Sequence, residues 1–593
     1  STPLYSSAAS DVYKRQTHTV AEHNALIFLG VKCKRFLFRF IKGEIIMLES
    51  FVAWFNEIVW SKPLVYGLLI TGILFSLMMK FFQVRHFKEM IRLMFHGEKS
   101  PTGISSFQAI ALSLAGRVGT GNIVGVSTAI FIGGPGAVFW MWVTAFLGAS
   151  SAFIESTLGQ IFKREEKGEY RGGPAYYIEY GIKGRLGKIY GLVFAIVTVI
   201  SVGLLLPGVQ SNAIASSMNN AFQIPNWIVA VTIAVILGLI IFGGVKWIAN
   251  VATAVVPFMA ILYILMAVFI IIINIQAVPA LFGLIFKSAF GMQAAFGGIF
   301  GAMIEIGVKR GLYSNEAGQG TGPHAASAAE VSHPAKQGLV QSFSVYVDTL
   351  FVCTATALII LISGTYNTTN GDLKPGGIPE LIKDNGIYVQ NADGTKDYSG
   401  TAMYAQAGID KALQGGSYHF DPAFSGIGSY FIAIALFFFA FTTILAYYYI
   451  AETNIAYMTR NSSVFTTKIW FTVARFALIF AAFYGSIKTA DVAWSMGDLG
   501  VGMMAWLNII AIWILHRPAV DALKDYEFQM KQKGSGNFAI YKPDPNKLPT
   551  ATFWLEDYPK RLKDAHFNED EAVAKEKGAK NKKLPPQNNL EEV

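Results

Sequence analysis

Gly116-Arg117-Val118-Gly119-Thr120-Gly121-Asn122 sets three glycines, a guanidinium, a hydroxyl and a carboxamide between two apolar runs, Ile104 to Leu114 and Ile123 to Ile132. Such a stretch is suited to binding. Glycine lets a ligand approach the backbone closely. Unpaired N–H groups at a half-helix N-terminus favour a carboxylate, and unpaired carbonyls at a half-helix C-terminus favour Na+ or an ammonium group. A zwitterion accompanied by a cation matches both ends of the break. In hydrocarbon every backbone polar group must be paired internally, so an interrupted helix is tolerated only where the break is buried in protein or lines a cavity.

Two later stretches add to this. Ala295-Phe296-Gly297-Gly298-Ile299-Phe300-Gly301 runs on toward the polar segment Gly311 to Gly322. Paired Gly-broken segments in corresponding positions of two halves point to the binding site of a secondary transporter, although Gly-x-x-x-Gly spacing also serves simply to pack helices closely. Thr442 and Thr443 lie side by side within Phe439 to Ala446. Their hydroxyls can complete an oxygen shell for a hard cation with carbonyls near Gly116 and Gly119, or they can back-bond to their own helix.

The elements that position these residues follow from composition. The chain is 53% hydrophobic and 15% charged, against about 25% charged in soluble domains, and its mean hydropathy is +0.42. This is a polytopic membrane protein. The net charge of +9 reflects basic cytoplasmic loops rather than a nucleic-acid partner. Cys33 and Cys353 give no disulfide framework or metal-ligand spacing. No nucleotide-binding Gly-x-x-x-x-Gly-Lys-Ser/Thr loop occurs, and no nucleophile–base set suggests an enzyme.

With about 20 apolar residues needed per span, eleven spans are expected, at 63–82, 103–131 (broken), 136–162, 188–207, 226–243, 248–274, 290–310 (broken), 338–363, 427–452, 468–486 and 493–515. Lys and Arg crowd every second loop, as at Arg85 to Lys99 and Lys163 to Lys188, whereas Pro207 to Asn226 has none. That alternation puts the N-terminus outside and the C-terminus inside. Beyond a peripheral first helix in 47–102, ten spans remain, and each broken helix opens a group of five, 103–274 and 288–515. An odd number inverts the second group. The expected fold is therefore all-α, a leucine-transporter-like 5+5 inverted repeat plus one extra N-terminal helix. The Gly- and Asn-rich segment 363–425 reads as an extracellular loop with a short hairpin. Residues 516–593 read as a cytoplasmic tail, disordered over its charged end. The chain's first methionine is Met47, and residues 1–46 are expected to be a non-native or upstream extension.

Ionisable residues within spans are functional candidates by default. Glu155, Glu305, Asp348, Glu452 and Arg475 qualify, and Arg117 is free to pair with one of the acids.

Several blocks resemble the alanine/glycine:cation symporter (sodium:alanine symporter) family. They are Gly116 to Ile123, Gly133-Gly134-Pro135-Gly136 through Ala145, Gly172-Gly173-Pro174-Ala175-Tyr176-Tyr177, and Arg310-Gly311-Leu312-Tyr313-Ser314-Asn315-Glu316-Ala317-Gly318-Gln319-Gly320. The likeness extends over about residues 50–515. It implies Na+-coupled symport of alanine or glycine by alternating access in a bacterial or archaeal inner membrane. Carried over by motif, Thr120, Gly121 and Asn122 contact the substrate carboxylate. The Gly116 and Gly119 carbonyls with Thr442 and Thr443 hold Na+, and Phe300, Gly301 and Met303 wall the side-chain pocket. Ser314 to Gly318 would be a hinge or gate. The rival readings are a proton-coupled permease or channel with Glu305 or Asp348 as proton carrier, and a receptor-like or structural membrane protein that keeps the fold without transport. Partners are a small neutral amino acid, Na+ and the bilayer. The oligomeric state is not fixed, and a monomer is the simplest expectation.

Overall fold

Apolar runs in lipid fold as helices because the α-helix pairs its interior N–H and C=O groups within one segment. The computed structural model describes residues 50–95, 104–166, 168–290, 300–364, 366, 389–390, 396–397, 404–415, 426–533 and 539–564. The chain divides into Ser1–Ile58 and Val59–Val593. Of the first unit only the helical 50–58 is described, and the helical bundle belongs to the second.

Among the described residues, eight helices are long and apolar enough to cross a membrane: Ser50–Met78, Gly136–Ile161, Arg185–Phe222, Val245–Ile273, Pro334–Ser363, Ile427–Thr459, Val464–Ile487 and Val492–Gln532. A bent pair makes a ninth. Helix α1 (Ser106–Arg117) and the segment Gly121–Gly133 meet at 48°, across a π-helical turn, Gly121–Gly125, that leads into α2 (Val126–Gly133). The first break thus falls where the glycines put it. The 16-residue helices Asn226–Ile241 and α4 (Phe300–Asn315) occupy the fifth and seventh expected positions. Eleven spans are not reached by length and apolarity alone, because an interrupted span divides its apolar residues between shorter helices.

The second expected break, at Ala295 to Gly301, lies largely outside the described residues. A described interruption comes later. Helix α4 ends at Asn315, Glu316 takes φ 55°, Gly318 and Gly320 take φ 88° and 89°, and α5 (Gly322–Ala328) follows. Left-handed backbone is costly for residues other than glycine, so Glu316 must be held by its surroundings. Glu155, on the long helix α3 (Gly136–Ile161), fastens this turn. Its Oε1 accepts from Gly318 N at 3.3 Å, and its Oε2 accepts from Gly320 N at 3.1 Å and from Asn508 Nδ2 at 2.7 Å. Asn508 Nδ2 also donates to Gly318 O at 2.9 Å. Glu155 is fully buried, and its carboxylate stands in for the water that this backbone would otherwise need.

Part of the 363–425 segment is tied to the bundle. Strands Val389–Gln390 and Lys396–Asp397 pair antiparallel, in line with the expected hairpin. Helix Tyr404–Gly415 buries Gln406, whose Nε2 donates to Ser217 O and Oγ and to Ser429 O. Past the last span, 539–564 folds back on the bundle. Tyr541 N donates to Ser332 O and Trp554 Nε1 to Gln160 O, at 2.9 and 2.8 Å. Lys163 Nζ lies 4.2 Å from the Phe553 ring centre and 4.8 Å from that of Tyr170, a cation–π arrangement. Arg561 pairs with Glu165 and Glu330. Partial burial lowers its guanidinium pKa, but Tyr170, Glu165 and Glu330 more than reverse this and hold it above its ordinary value.

Two outcomes check this architecture. Glu155→Ala leaves two backbone amides and the Asn508 amide short of an acceptor, at about 1–3 kcal/mol each. A marked fall in melting temperature in detergent is expected, with Glu155→Gln recovering part of it; an unchanged Ala variant would remove Glu155 from this role. Trp554→Ala loses roughly 3–5 kcal/mol of packing, so limited proteolysis should cut within 539–564 while the spans remain intact.

Candidate functional site

Helix α1 ends at Arg117, and its last carbonyls have no further helical N–H to accept from. Helix α6 (Ile427–Thr459) crosses this end. Thr443 Oγ1 lies 2.8 Å from Ala115 O, 2.9 Å from Phe439 O and 3.5 Å from Val118 O. Four oxygens therefore converge around a single hydroxyl proton. That is an electron-rich cluster of hard donors, the kind that accepts an alkali or alkaline-earth cation. The carbonyls brought to Thr443 are those of Ala115 and Val118, each one residue ahead of the expected Gly116 and Gly119. Gly119 supplies room instead: a Cβ there would stand 2.5 Å from Thr443 Oγ1 and 3.0 Å from Gln210 Oε1. Thr442 back-bonds to Phe438 O and Phe439 O, both at 3.0 Å.

The residues after the break are fully buried. Thr120 N donates to Gln210 Oε1 at 3.1 Å, and Gly119 N donates to Asn122 Oδ1 at 2.8 Å. Asn122 Nδ2 donates to Asp348 Oδ1 at 2.6 Å. Gly121 packs on Tyr313 and Ser314: a Cβ would meet Ser314 Cα at 3.0 Å. The two interruptions therefore meet here, with Gly116 facing Glu316, whose Oε2 would lie 3.4 Å from a Cβ at 116.

The expected pocket wall lies elsewhere in this conformation. Met303 is buried against Gly133 and Gly136 at the α2–α3 corner, and Gly301 is exposed with nothing near its Cβ position. The side chain of Phe300 lies outside the described residues. Met303 and Ser314 are eleven residues apart on α4, about 16 Å along the helix. Tyr313 and Ser314 are the α4 residues that reach the first break.

Several buried polar atoms around the break have no hydrogen-bond partner among the described residues. They are Thr120 Oγ1, Tyr313 OH, Glu316 Oε1, Gln319 Oε1, and Nε and one terminal nitrogen of Arg117. Native interiors carry few such groups. This set contains acceptors for an ammonium group and donors for a carboxylate. Arg117 spends its other nitrogen on Gln341 O at 3.0 Å, Gln341 Oε1 and Ser344 Oγ, and among the described residues it forms no ion pair within 4 Å. Three further ionisable candidates lie within the spans. Glu452 pairs with Arg171, Arg475 Nε donates to Tyr448 OH, and Glu305 stays partly exposed on α4.

Sequence reasoning missed Gln210, Tyr313 and Tyr447, the last of which lies beside both Glu316 and Gln210. The signal was Gln210-Ser211-Asn212, a polar run just past the expected span 188–207, in a segment that the structure shows to continue the helix to Phe222. It also missed Asp498, which takes a bidentate pair from Arg310 at 2.8 and 3.1 Å and a Lys309 contact at 2.7 Å. Beside this cluster the rings of Tyr313 and Trp494 stand 5.0 Å apart.

The profile of the sodium:alanine symporter family matches residues 45–377 and 400–540. The putative sodium/proton-dependent alanine carrier protein YrbD of Bacillus subtilis (strain 168) is 52% identical over 512 residues, 86% of this chain and 98% of that protein. The sodium/proton-dependent alanine carrier protein of Bacillus sp. (strain PS3) is 48% identical over 470 residues, 79% of this chain and 98% of that one. Among solved structures, the Eremococcus coleocola manganese transporter aligns with 13% identity and a TM-score of 0.40, over 75% of this chain and 89% of that chain. Profile and relatives agree along nearly the whole bundle, and the chain belongs to the sodium:alanine symporter family.

Proposed function

We propose that this protein is a Na+-coupled symporter of alanine and other small neutral amino acids, working by alternating access as an eleven-span, 5+5 inverted-repeat protein of a prokaryotic inner membrane with its N-terminus outside. The observation that carries the reading is the convergence of Thr443 Oγ1 with the Ala115, Val118 and Phe439 carbonyls at the end of α1. Na+ bound there orders the break, and the same break presents Thr120, Gly121 and Asn122 to a carboxylate. Each ligand lowers the cost of ordering the segment for the other, which is the energetic content of coupling. Glycine as a substrate rests on the same site, since a pocket taking a methyl side chain admits a hydrogen.

The gradients suffice. A potential of about 100 mV is worth roughly 2.3 kcal/mol per charge, and a tenfold Na+ gradient adds about 1.4 kcal/mol. One Na+ per zwitterion then sustains an accumulation of several hundredfold.

Proton coupling is the second reading. The names of the two Bacillus relatives include protons alongside sodium, and Asp348, a carboxyl able to take one, is buried at the same junction.

The deciding experiment is alanine and glycine uptake into proteoliposomes with an inward Na+ gradient, a pH gradient, or neither. Uptake driven by Na+ alone is expected; uptake indifferent to Na+ and driven by pH would replace this reading with the second. Thr443→Val should raise the Na+ concentration for half-maximal uptake at least tenfold, with alanine affinity at saturating Na+ changed less than about threefold. Normal Na+ activation in that variant would exclude the Thr443 cluster as the cation site.

A further inference from the structure

Asp348 occupies the π-helical turn Val347–Cys353 in the Pro334–Ser363 span, and Asn122 occupies the π-helical turn Gly121–Gly125. Such turns are rare and concentrate at functional positions. Here the two face each other across the 2.6 Å bond from Asn122 Nδ2 to Asp348 Oδ1. Ser314 Oγ and Thr349 Oγ1 each donate to Asp348 Oδ2 at 2.7 Å. Asn122 follows the first interruption and Ser314 precedes the second. One carboxylate thus gathers donors from both interrupted helices and from its own span. Asp348, Asn122, Ser314 and Thr349 are all 0% exposed.

The charge around this carboxylate does not balance. Arg117 interacts electrostatically with Glu155, Glu316 and Asp348, which are 0%, 2% and 0% exposed. One guanidinium faces three buried carboxyls, and among the described residues no Lys, Arg or His lies within 4 Å of Asp348. The other titratable groups on elements packed against this turn are Glu155, Lys246, Tyr263, Glu305, Lys309, Arg310, Tyr313, Lys336, Tyr346 and Cys353; of the cations among them, Lys309 and Arg310 pair with Asp498, Lys336 donates to Ser332 Oγ and Lys246 is exposed. Hydrogen bonds stabilise an ionised Asp348, but they leave its net charge in place, and burying uncompensated charge is expensive. A cation at Thr443 lies beside the Gly116–Glu316 side of the break, and Glu155 is engaged by Gly318, Gly320 and Asn508. Of the two carboxyls held only by neutral donors, Asp348 is the one that joins both interruptions through side chains, Asn122 and Ser314.

We propose that Asp348, with the oxygens of Ser314 and Thr349, binds a second monovalent cation, Na+ or a proton, distinct from the one at Thr443. The inference rests on the transport reading above. The two hydroxyls donate to the carboxylate in the present arrangement, and each rotates to turn a lone pair inward when a cation arrives. Asn122 already spends its Oδ1 on Gly119 N, so it orients the carboxylate from the side. Occupation would draw the Asn122 turn, the end of α4 and the Asp348 turn together, linking both interruptions to one bound charge.

The test uses the full chain in proteoliposomes, with the membrane potential clamped at zero, and reads the alanine gradient at which net flux reverses. One arm imposes a tenfold Na+ gradient at equal pH, the other a one-unit pH gradient with Na+ equal on both sides. Each coupled cation contributes about tenfold to the balancing alanine gradient. Asp348→Asn should lower it about tenfold in one arm only: loss in the Na+ arm identifies the cation as Na+, loss in the pH arm as a proton. A wild-type balance in both arms for Asp348→Asn would overturn the proposal and leave Asp348 an internal hydrogen-bond acceptor. Should that variant not fold, Thr349→Val removes a single hydroxyl. It should raise the half-maximal concentration of the same cation several-fold, with alanine affinity at saturating cation held within twofold, and an unchanged cation constant would overturn the proposal. Wild-type protein accumulating no alanine under either gradient would refute the transport reading itself, a separate result.

Discussion

A helix interrupted inside a low-dielectric slab leaves amides and carbonyls that water cannot reach, and everything else in this protein is arranged around satisfying them. At the first interruption the carbonyls of Ala115 and Val118 turn to Thr443, while the amides of Gly119 and Thr120 turn to Asn122 and Gln210. At the second, the amides of Gly318 and Gly320 turn to Glu155. Side chains from α3, α6 and the Arg185–Phe222 span thus serve as backbone partners. They keep irregular backbone at membrane depth without committing it to one rigid shape. A hydroxyl or carboxamide that satisfies a carbonyl can be traded for an ion or a substrate group at small net cost.

The two interruptions differ in what they offer. The first presents oxygen atoms with one proton among them, which is a preference for positive charge. The second is held from behind by a carboxylate and contributes Ser314 and Glu316 toward the first. Around them one guanidinium, that of Arg117, faces the buried carboxyls of Glu155, Glu316 and Asp348.

Much of this was readable from residue types. The glycines with Arg117 and Asn122 located the first break because no other sequence explains polar, flexible backbone between two apolar runs. The adjacent hydroxyls of Thr442 and Thr443 pointed to the crossing helix, though only the rotational phase of α6, which a sequence does not carry, decides that Thr443 faces the break and Thr442 its own helix. The interruption expected at Ala295 to Gly301 lies largely outside the described residues, and the bend after α4 is a separate one. Glycine density marks where a backbone is permitted to bend, and Gly297 to Gly301 is dense. The bend after α4 depends on Glu316, Gly318 and Gly320 taking positive φ over the Glu155 carboxylate, a partner 163 and 165 residues distant. Tyr313 and Asp498 gave no separate signal, because a polar residue in a helix acquires meaning only from what it faces. The ordered stretch after the last span was likewise hidden, since its aromatic anchors Tyr541, Phe553 and Trp554 are scattered among Pro, Lys and Asp.

That stretch has a consequence for how the molecule is made. Its seat is composed of Gln160, Lys163 and Tyr170 from early in the chain and of Glu330 and Ser332 from the middle, yet residues 539–564 are the last described part to leave the ribosome. Translation runs from N- to C-terminus, so the seat stands without its cover until all the spans have been synthesised. Docking of Trp554 and Tyr541 then requires that the end of α3 and the segment after α5 already lie side by side. The closing segment is a register mark for assembly: it fits only a bundle whose two halves have met.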